Sequence, residues 1–266
     1  MSGPKQSGAR FVAASDQSLV VYFDTFRAQS GTFSIDRRVS TETSSDRDAS
    51  EANAAPQPNQ ITLEAHDHVR KLLRLLELEP IAGVRNLHPA YRSVLIKFDA
   101  MKLRHEELEE RLRSYLCRME KLALPEPRLV EIPVCYGGEY GPDLDVVAKL
   151  HALTPERVIE LHGSADYIVY FLGFVPGFAY LGELPEELAT PRLPAPRRIV
   201  PAGSVGIAGN QTGVYPIATP GGWRLLGRTP VAMFRPDRAE MSLLAIGDRV
   251  RFVPISRAQF AKLENA

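Results

Sequence analysis

Only two cysteines, Cys117 and Cys135, occur in 266 residues, and they form no CxxC pair. A disulfide framework and a cysteine-based zinc knuckle are therefore excluded, and a reducing compartment is expected. Net charge is missing as well: 32 Lys and Arg residues offset 32 Asp and Glu residues, spread along most of the chain. Nucleic acid and membrane surfaces are bound by concentrated basic faces, so small molecules or other proteins are the expected partners. No run of about eighteen apolar residues is present. The opening "MSGPKQSGAR" lacks the apolar core of a secretory signal. The expectation is a soluble cytoplasmic protein.

The common catalytic signatures are also absent. There is no GxxxxGK[ST] loop, no HExxH, no GxSxG, and no GxGxxG between a strand and a helix. "GSVGIAG" is glycine-rich but has no following helix to offer its N-terminus to a phosphate. No metal site is expected. All 6 histidines precede Gly163, and between Tyr167 and Pro236 the only carboxylates are Glu183, Glu186 and Glu187. A self-contained histidine mechanism is thereby excluded from the C-terminal half. That half is expected to act by positioning and by electrostatic stabilisation, through Arg, hydroxyl, amide and backbone N–H groups.

What is present falls into distinct textures. After a tail over residues 1–10, "SLVVYF" reads as a strand, and the chain then turns polar. Residues 28–59 carry too few apolar side chains to offset their ordering entropy, and a disordered insertion is expected there. Leu63, Val69, Leu72, Leu73 and Leu76 recur at helical spacing, as do Leu108, Leu112, Tyr115, Leu116 and Met119 in a helix expected from His105 to Leu122. Between these helices "GVRNLHPAY" and "SVLIKFD" read as strands, and "RLVEIPVCY" follows the second helix. Strand, helix, strand, strand, helix, strand is the ferredoxin-like split pattern, assigned to residues 11–135.

Two short helices are expected within a helical bridge over residues 136–163, one at Asp145–Leu150 and one at Pro155–His162. The second has Thr154 as cap, Pro155 as first residue and Gly163 as terminator. Residues 164–266 then alternate short apolar runs with Gly and Pro turns, the texture of an all-β barrel or sandwich.

Polar and aromatic residues among those turns are the candidate working groups. Arg192 and Arg197 are expected to hold a carboxylate or phosphate in bidentate fashion. Ser204, Gln211 and Thr212 are expected to position a reacting amide or stabilise its oxyanion. Phe178, Tyr180, Tyr215 and Trp223 are expected to wall the pocket, core packing being the ordinary alternative for each. His162 reads either as a helix-end dipole partner or as a base. In "LGFVPGFAYLGELP", Pro176 and Gly177 are expected to turn the chain so that Phe178 and Tyr180 are presented from a loop.

The run from Tyr167 to Pro230 contains GFxPGFxYL, PRxxxPR, VPAGSVxIAG, QTGxYP, PGGW and GRTP in series. In this it resembles the allophanate hydrolase subunit 1 or carboxyltransferase subdomain family, and the likeness extends upstream through "YGGEYGPDLDVVAKLHALTPERVIELH". Members of that family include the B-type chain of 5-oxoprolinase, KipI-type kinase inhibitors and one half of the urea carboxylase carboxyltransferase domain. The resemblance implies a ferredoxin-like domain followed by a cyclophilin-like β-barrel.

As function it implies a non-autonomous component of an ATP-dependent 5-oxoprolinase, which opens 5-oxo-L-proline to L-glutamate. Two partners are implied too, a C-type carboxyltransferase homologue and an A-type 5-oxoprolinase homologue, with ATP held mainly by a partner. The alternatives are a KipI-like inhibitor of a histidine kinase, or half of a biotin-dependent urea or amide carboxyltransferase. Two departures stand out: Glu183 replaces a glycine usual after "YLG", and residues 28–59 are inserted after the first strand.

Overall fold

The stretch Ala9–Ser15 (β1) runs antiparallel to Ser18–Phe23 (β2), where Leu19, Val21 and Phe23 alternate into the core. In this computed structural model residues 9–23 and 63–265 are described. They divide into two units: one holds the N-terminal elements up to Glu120, and the other holds Lys121 onward together with His88–Tyr91. The expected insertion at 28–59 and residues 1–8 of the expected tail lie outside the described residues. Ala9 and Arg10 open β1.

The first unit continues with Leu63–Leu78 (α1), Val84–Pro89 (β3), Ser93–Phe98 (β4) and His105–Met119 (α2). α1 buries Val69, Leu72, Leu75 and Leu76, and α2 buries Leu108, Leu112, Leu116 and Met119, each set lying at i, i+3 or i+4 along its helix. The Arg104 N–H donates to the Glu107 carboxylate at 3.1 Å, so the start of α2 satisfies one backbone donor that the helix leaves open. The sheet order is β1-β2-β4-β3.

This corrects the expected split pattern, in which "RLVEIPVCY" supplied the fourth strand. That place is taken by β1, paired with β2 along nearly its whole length. Leu129–Tyr136 (β5) instead pairs in parallel with Arg249–Pro254 and antiparallel with Arg224–Arg228, placing Ile132 and Val134 in the core of the second unit.

The second unit is built on a closed barrel. Its further elements are Leu144–Leu150 (α3), Pro155–Ser164 (α4), Tyr167–Leu172 (β6), Ala179–Gly182 (β7), Arg197–Val200 (β8), Ser204–Ala208 (β9), Gln211–Val214 (β10), Thr219–Gly221 (β11), Arg224–Arg228 (β12), Arg249–Pro254 (β13) and Arg257–Glu264 (α5). Around the barrel the order is β10-β7-β6-β13-β5-β12-β9, while β8 and β11 form a separate two-stranded ribbon. Val169, Leu181, Val205, Ile207, Val214, Leu226, Val250 and Phe252 fill the interior.

The helices α3 and α4 add Val147, Ala148 and Val158 to that same core. They are walls of the barrel unit rather than the bridge expected over residues 136–163. Thr154 caps α4 as expected, its hydroxyl accepting from the Arg157 N–H at 3.2 Å. Gly163 does not end the helix, which runs on to Ser164. A Cβ at Gly163 would lie 3.2 Å from the Phe252 carbonyl oxygen, so its small size permits close packing of α4 on β13. Among the described residues no helix is long and apolar enough to cross a membrane.

Candidate functional site

The loop between β6 and β7 contains two successive turns. The Val175 N–H donates to the Gly173 carbonyl at 2.9 Å around Phe174, which has φ +71°. That is a three-residue turn, and its left-handed centre is costly for a bulky residue. The Phe178 N–H then donates to the Val175 carbonyl at 3.0 Å. Pro176 and Gly177 (φ +80°) occupy the two central positions, the residue types a type II turn requires. The expected reversal at Pro176 and Gly177 is thus formed, but it does not present Phe178 and Tyr180 from a loop: Phe178 is buried and Tyr180 lies within β7. Phe174 is left 61% exposed, with its ring edge-on to Phe178 at 5.6 Å.

Beyond this loop the outer wall of the barrel carries a second, smaller apolar cluster. Phe178, Tyr215, Trp223, Leu225, Val200 and Ala208 are buried in it, with Tyr180 packed against it. Phe178 lies 4.9 Å from Tyr180, 5.4 Å from Tyr215 and 5.5 Å from Trp223, all in edge-to-face geometry. The four aromatic residues singled out from the sequence therefore meet. Two motif glycines make room for them: a Cβ at Gly213 would lie 3.2 Å from both Phe178 and Trp223, and one at Gly221 would lie 2.5 Å from the Tyr215 hydroxyl.

The cluster continues outward into half-buried rings that sequence reasoning missed. Phe171 stacks on Tyr180 at 4.5 Å, and Tyr91, from the segment grouped with the barrel, sits edge-on to Phe171 at 4.8 Å. The Gln211 side-chain amide donates to the Tyr91 hydroxyl. Burial pushes the Tyr91 phenol up to about 12, against the opposing effects of the Gln211 hydrogen bond and the Arg192 charge. Burial also raises Tyr180 and Tyr215, and Arg192 counters it at both. Arg192 is exposed, its charge acts on all three phenols, and it forms no ion pair with a carboxylate among the described residues. A cation beside aromatic faces and a side-chain amide can hold a small planar anion.

Arg197 is placed differently from the expected clamp. Its Nη2 donates to both oxygens of Asp143, at 2.7 and 2.8 Å, and its Nη1 reaches the Trp223 carbonyl at 3.3 Å. Asp143 is buried and also accepts from the Leu225 N–H at 2.7 Å. A buried carboxylate needs this compensation, so the guanidinium is committed to tying the β8 ribbon to the barrel. Asp143 itself went unrecognised because in "GPDL" it reads as an ordinary helix-start residue.

Thr212 and Ser204 are also redirected. Alternation along β10 turns Thr212 inward while Gln211 and Gly213 face outward. The Thr212 hydroxyl donates to the Gly206 carbonyl at 3.1 Å and meets His162 Nε2 at 2.9 Å, fully buried. His162 Nδ1 is 2.7 Å from the Tyr136 hydroxyl, and burial pulls the imidazole down to about 3. Position in the sequence had removed histidine from the barrel, but α4 inserts His162 into it. Ser204 shares the outer face of β9 with Gly206 and Ala208, and its carbonyl accepts from the Tyr215 N–H at 2.9 Å. Its side chain is buried and offers no surface to a ligand. Glu183, the departure from the motif, is exposed to solvent. Among the described residues no group of three or more His, Cys, Asp or Glu is arranged to hold a metal ion.

The model of the carboxyltransferase domain, subdomain C and D, matches residues 47–244. The chain belongs to that family. Within it, the chain is 49% identical over 200 residues to the B subunit of 5-oxoprolinase from Escherichia coli O157:H7, a match covering 73% of this chain and 88% of that protein. It is 45% identical over 195 residues to the B subunit of 5-oxoprolinase from Bacillus subtilis, covering 70% of this chain and 81% of that one. The fold is also that of part of the Kluyveromyces lactis urea carboxylase, with a TM-score of 0.66 at 17% identity. That match covers 96% of this chain but only 22% of the larger one, so the likeness is one of fold alone. The matched range of the family model contains every element from α1 to β12.

Proposed function

We propose that this carboxyltransferase-domain chain is the B subunit of an ATP-dependent 5-oxoprolinase, helping to open 5-oxo-L-proline to L-glutamate together with C-type and A-type partners. The observation that carries this reading is the 45–49% identity to two proteins of that name over at least 70% of the chain. The geometry agrees with it. The ligand is a small ring bearing a carboxylate and an amide. To such a ring the outer wall offers the Arg192 guanidinium, the Gln211 amide and the half-buried rings of Tyr180 and Phe171, while Phe178, Tyr215 and Trp223 are buried behind them as packed core rather than as the expected pocket wall.

Opening the ring adds the elements of water across the amide C–N bond, OH to the carbonyl carbon and H to the nitrogen. Amide resonance makes that carbon a poor electrophile, and the coupled conversion of ATP and a water to ADP and phosphate supplies both its activation and a net driving force for ring opening. His162 is sealed inside the barrel with Thr212 and Tyr136, and so is not the base at this wall. In our reading a partner holds ATP and performs the activation, while this chain binds and orients the ring and keeps bulk solvent, other than the reacting water, away from it. No metal is assigned to this chain, and the complex is placed in the cytoplasm. We also read the first unit as a variant of the ferredoxin-like pattern, with β1 in the place of the last strand, and the barrel as cyclophilin-like.

Reconstitution tests this reading. The chain combined with its C- and A-type partners is expected to release glutamate from 5-oxo-L-proline only when ATP is present, and omission of the chain is expected to abolish release. Equal ATP-dependent release without it would refute the assignment.

A further inference from the structure

Three groups on the outer wall have complementary unused capacity. Gln211 spends an N–H on the Tyr91 hydroxyl oxygen, which leaves the phenolic O–H of Tyr91 as a donor and the Gln211 carbonyl oxygen as an acceptor. Both residues are half-buried, and beside them stands Arg192, exposed and near enough for its charge to act on Tyr91, Tyr180 and Tyr215. The Tyr91 ring is fixed by edge contacts to Phe171 at 4.8 Å and Tyr170 at 5.5 Å, so its hydroxyl is held rather than swinging freely.

The set therefore presents one donor and one acceptor beside the Phe171 and Tyr180 rings, with the Arg192 charge acting on the same phenols. An amide in the cis arrangement enforced by a small ring shows its C=O and N–H on adjacent positions of one edge. That edge pairs with a donor and an acceptor side by side, as Tyr91 and Gln211 are. A carboxylate on the same ring takes the guanidinium in a charge-assisted bond.

We propose that Tyr91 is a specificity-determining residue of this site, donating to the ring carbonyl of a cyclic amide acid while Gln211 accepts from its N–H and Arg192 holds its carboxylate. The inference rests on the oxoprolinase reading above and assigns within it the residue that distinguishes a lactam from a plain cyclic acid. Sequence reasoning missed Tyr91 because "HPAYR" falls between two strands of the first unit, more than a hundred residues from most of the barrel motifs.

The test uses the complete complex with wild-type chain and with Tyr91→Phe, which keeps the ring and deletes the donor. KM for 5-oxo-L-proline is measured alongside the inhibition constant of cyclopentanecarboxylate, a cyclic acid with no amide. Loss of one hydrogen bond predicts a rise in KM of about tenfold, with the inhibition constant of the plain acid unchanged. Gln211→Leu is expected to behave in the same way, and it supplies the answer should Tyr91→Phe fail to assemble. An unchanged KM would overturn the assignment while leaving the oxoprolinase reading standing, and so would a parallel weakening of both ligands, which marks a merely structural tyrosine. A wild-type complex inactive on the lactam would remove that reading, and this inference with it.

Discussion

Folding places the His162 imidazole between the Tyr136 hydroxyl and the Thr212 hydroxyl, sealed from solvent and stacked on Phe252 at 4.6 Å. The ring titrates at about 3 in the fold, against 6.5 when exposed. Between those values the unfolded chain takes up a proton that the folded chain refuses. Stability from this group is therefore complete above pH 6.5 and is lost as pH falls toward 3, by about 1.4 kcal/mol per pH unit. Urea unfolding of the wild-type chain is expected to show that slope between about pH 6 and 4. His162→Asn is expected to be less stable at neutral pH but to lack this part of the pH dependence, and an identical slope in the variant would place the proton elsewhere. At this scale the sequence was a partial guide. Phe178, Tyr180, Tyr215 and Trp223 stand out in the sequence because bulky rings lie among turn residues, but nothing local tells that Phe178, Tyr215 and Trp223 are core; His162 is legible only as a helix end, because distance along the chain says nothing of where that end points. Thr212 was misread for a related reason, since a hydroxyl beside a glycine looks available until the strand's alternation turns it inward.

Among the elements, the β8–β11 ribbon depends most on a single interaction. It covers the aromatic cluster and is tied down by Arg197 and Asp143, 27% and 8% exposed in their side chains. Arg197→Ala would leave the Asp143 carboxylate buried with only the Leu225 N–H for company. A loss of about 3 kcal/mol is expected by chemical denaturation. Asp143→Ala combined with Arg197→Ala should cost clearly less than the sum of the two single changes, because the second removes a charge already stranded by the first. Additive costs would show that the pair is not coupled. The turn at Pro176 and Gly177 was legible because Pro fixes φ and Gly tolerates positive φ, which are local properties of two residues. The Asp143–Arg197 tie was not, because its partners are far apart in the sequence and no local rule joins them.

At the level of the whole molecule, the change in hydrophobic period and turn density separates an α/β part from a β-rich part, but the expected boundaries at residues 135 and 163 differ from the division after Glu120, because β5, α3 and α4 pack into the barrel unit. Strand identity was readable further than strand partnership. "RLVEIPVCY" was rightly a strand, yet an alternating strand fits any sheet with an open neighbour, and β1 had already filled the place in the first sheet. In the function proposed above, the outer aromatic wall is the surface through which this chain binds and orients the ring. Its charged member is Arg192, on a loop outside the barrel strands and with no structural ion pair to lose among the described residues. The decisive measurement is steady-state kinetics of the complete complex carrying Arg192→Ala. Loss of a charge-assisted bond predicts a KM for 5-oxo-L-proline raised about 10- to 100-fold with an unchanged melting temperature. A KM and kcat equal to wild type would contradict the assignment of this wall as the substrate-binding surface.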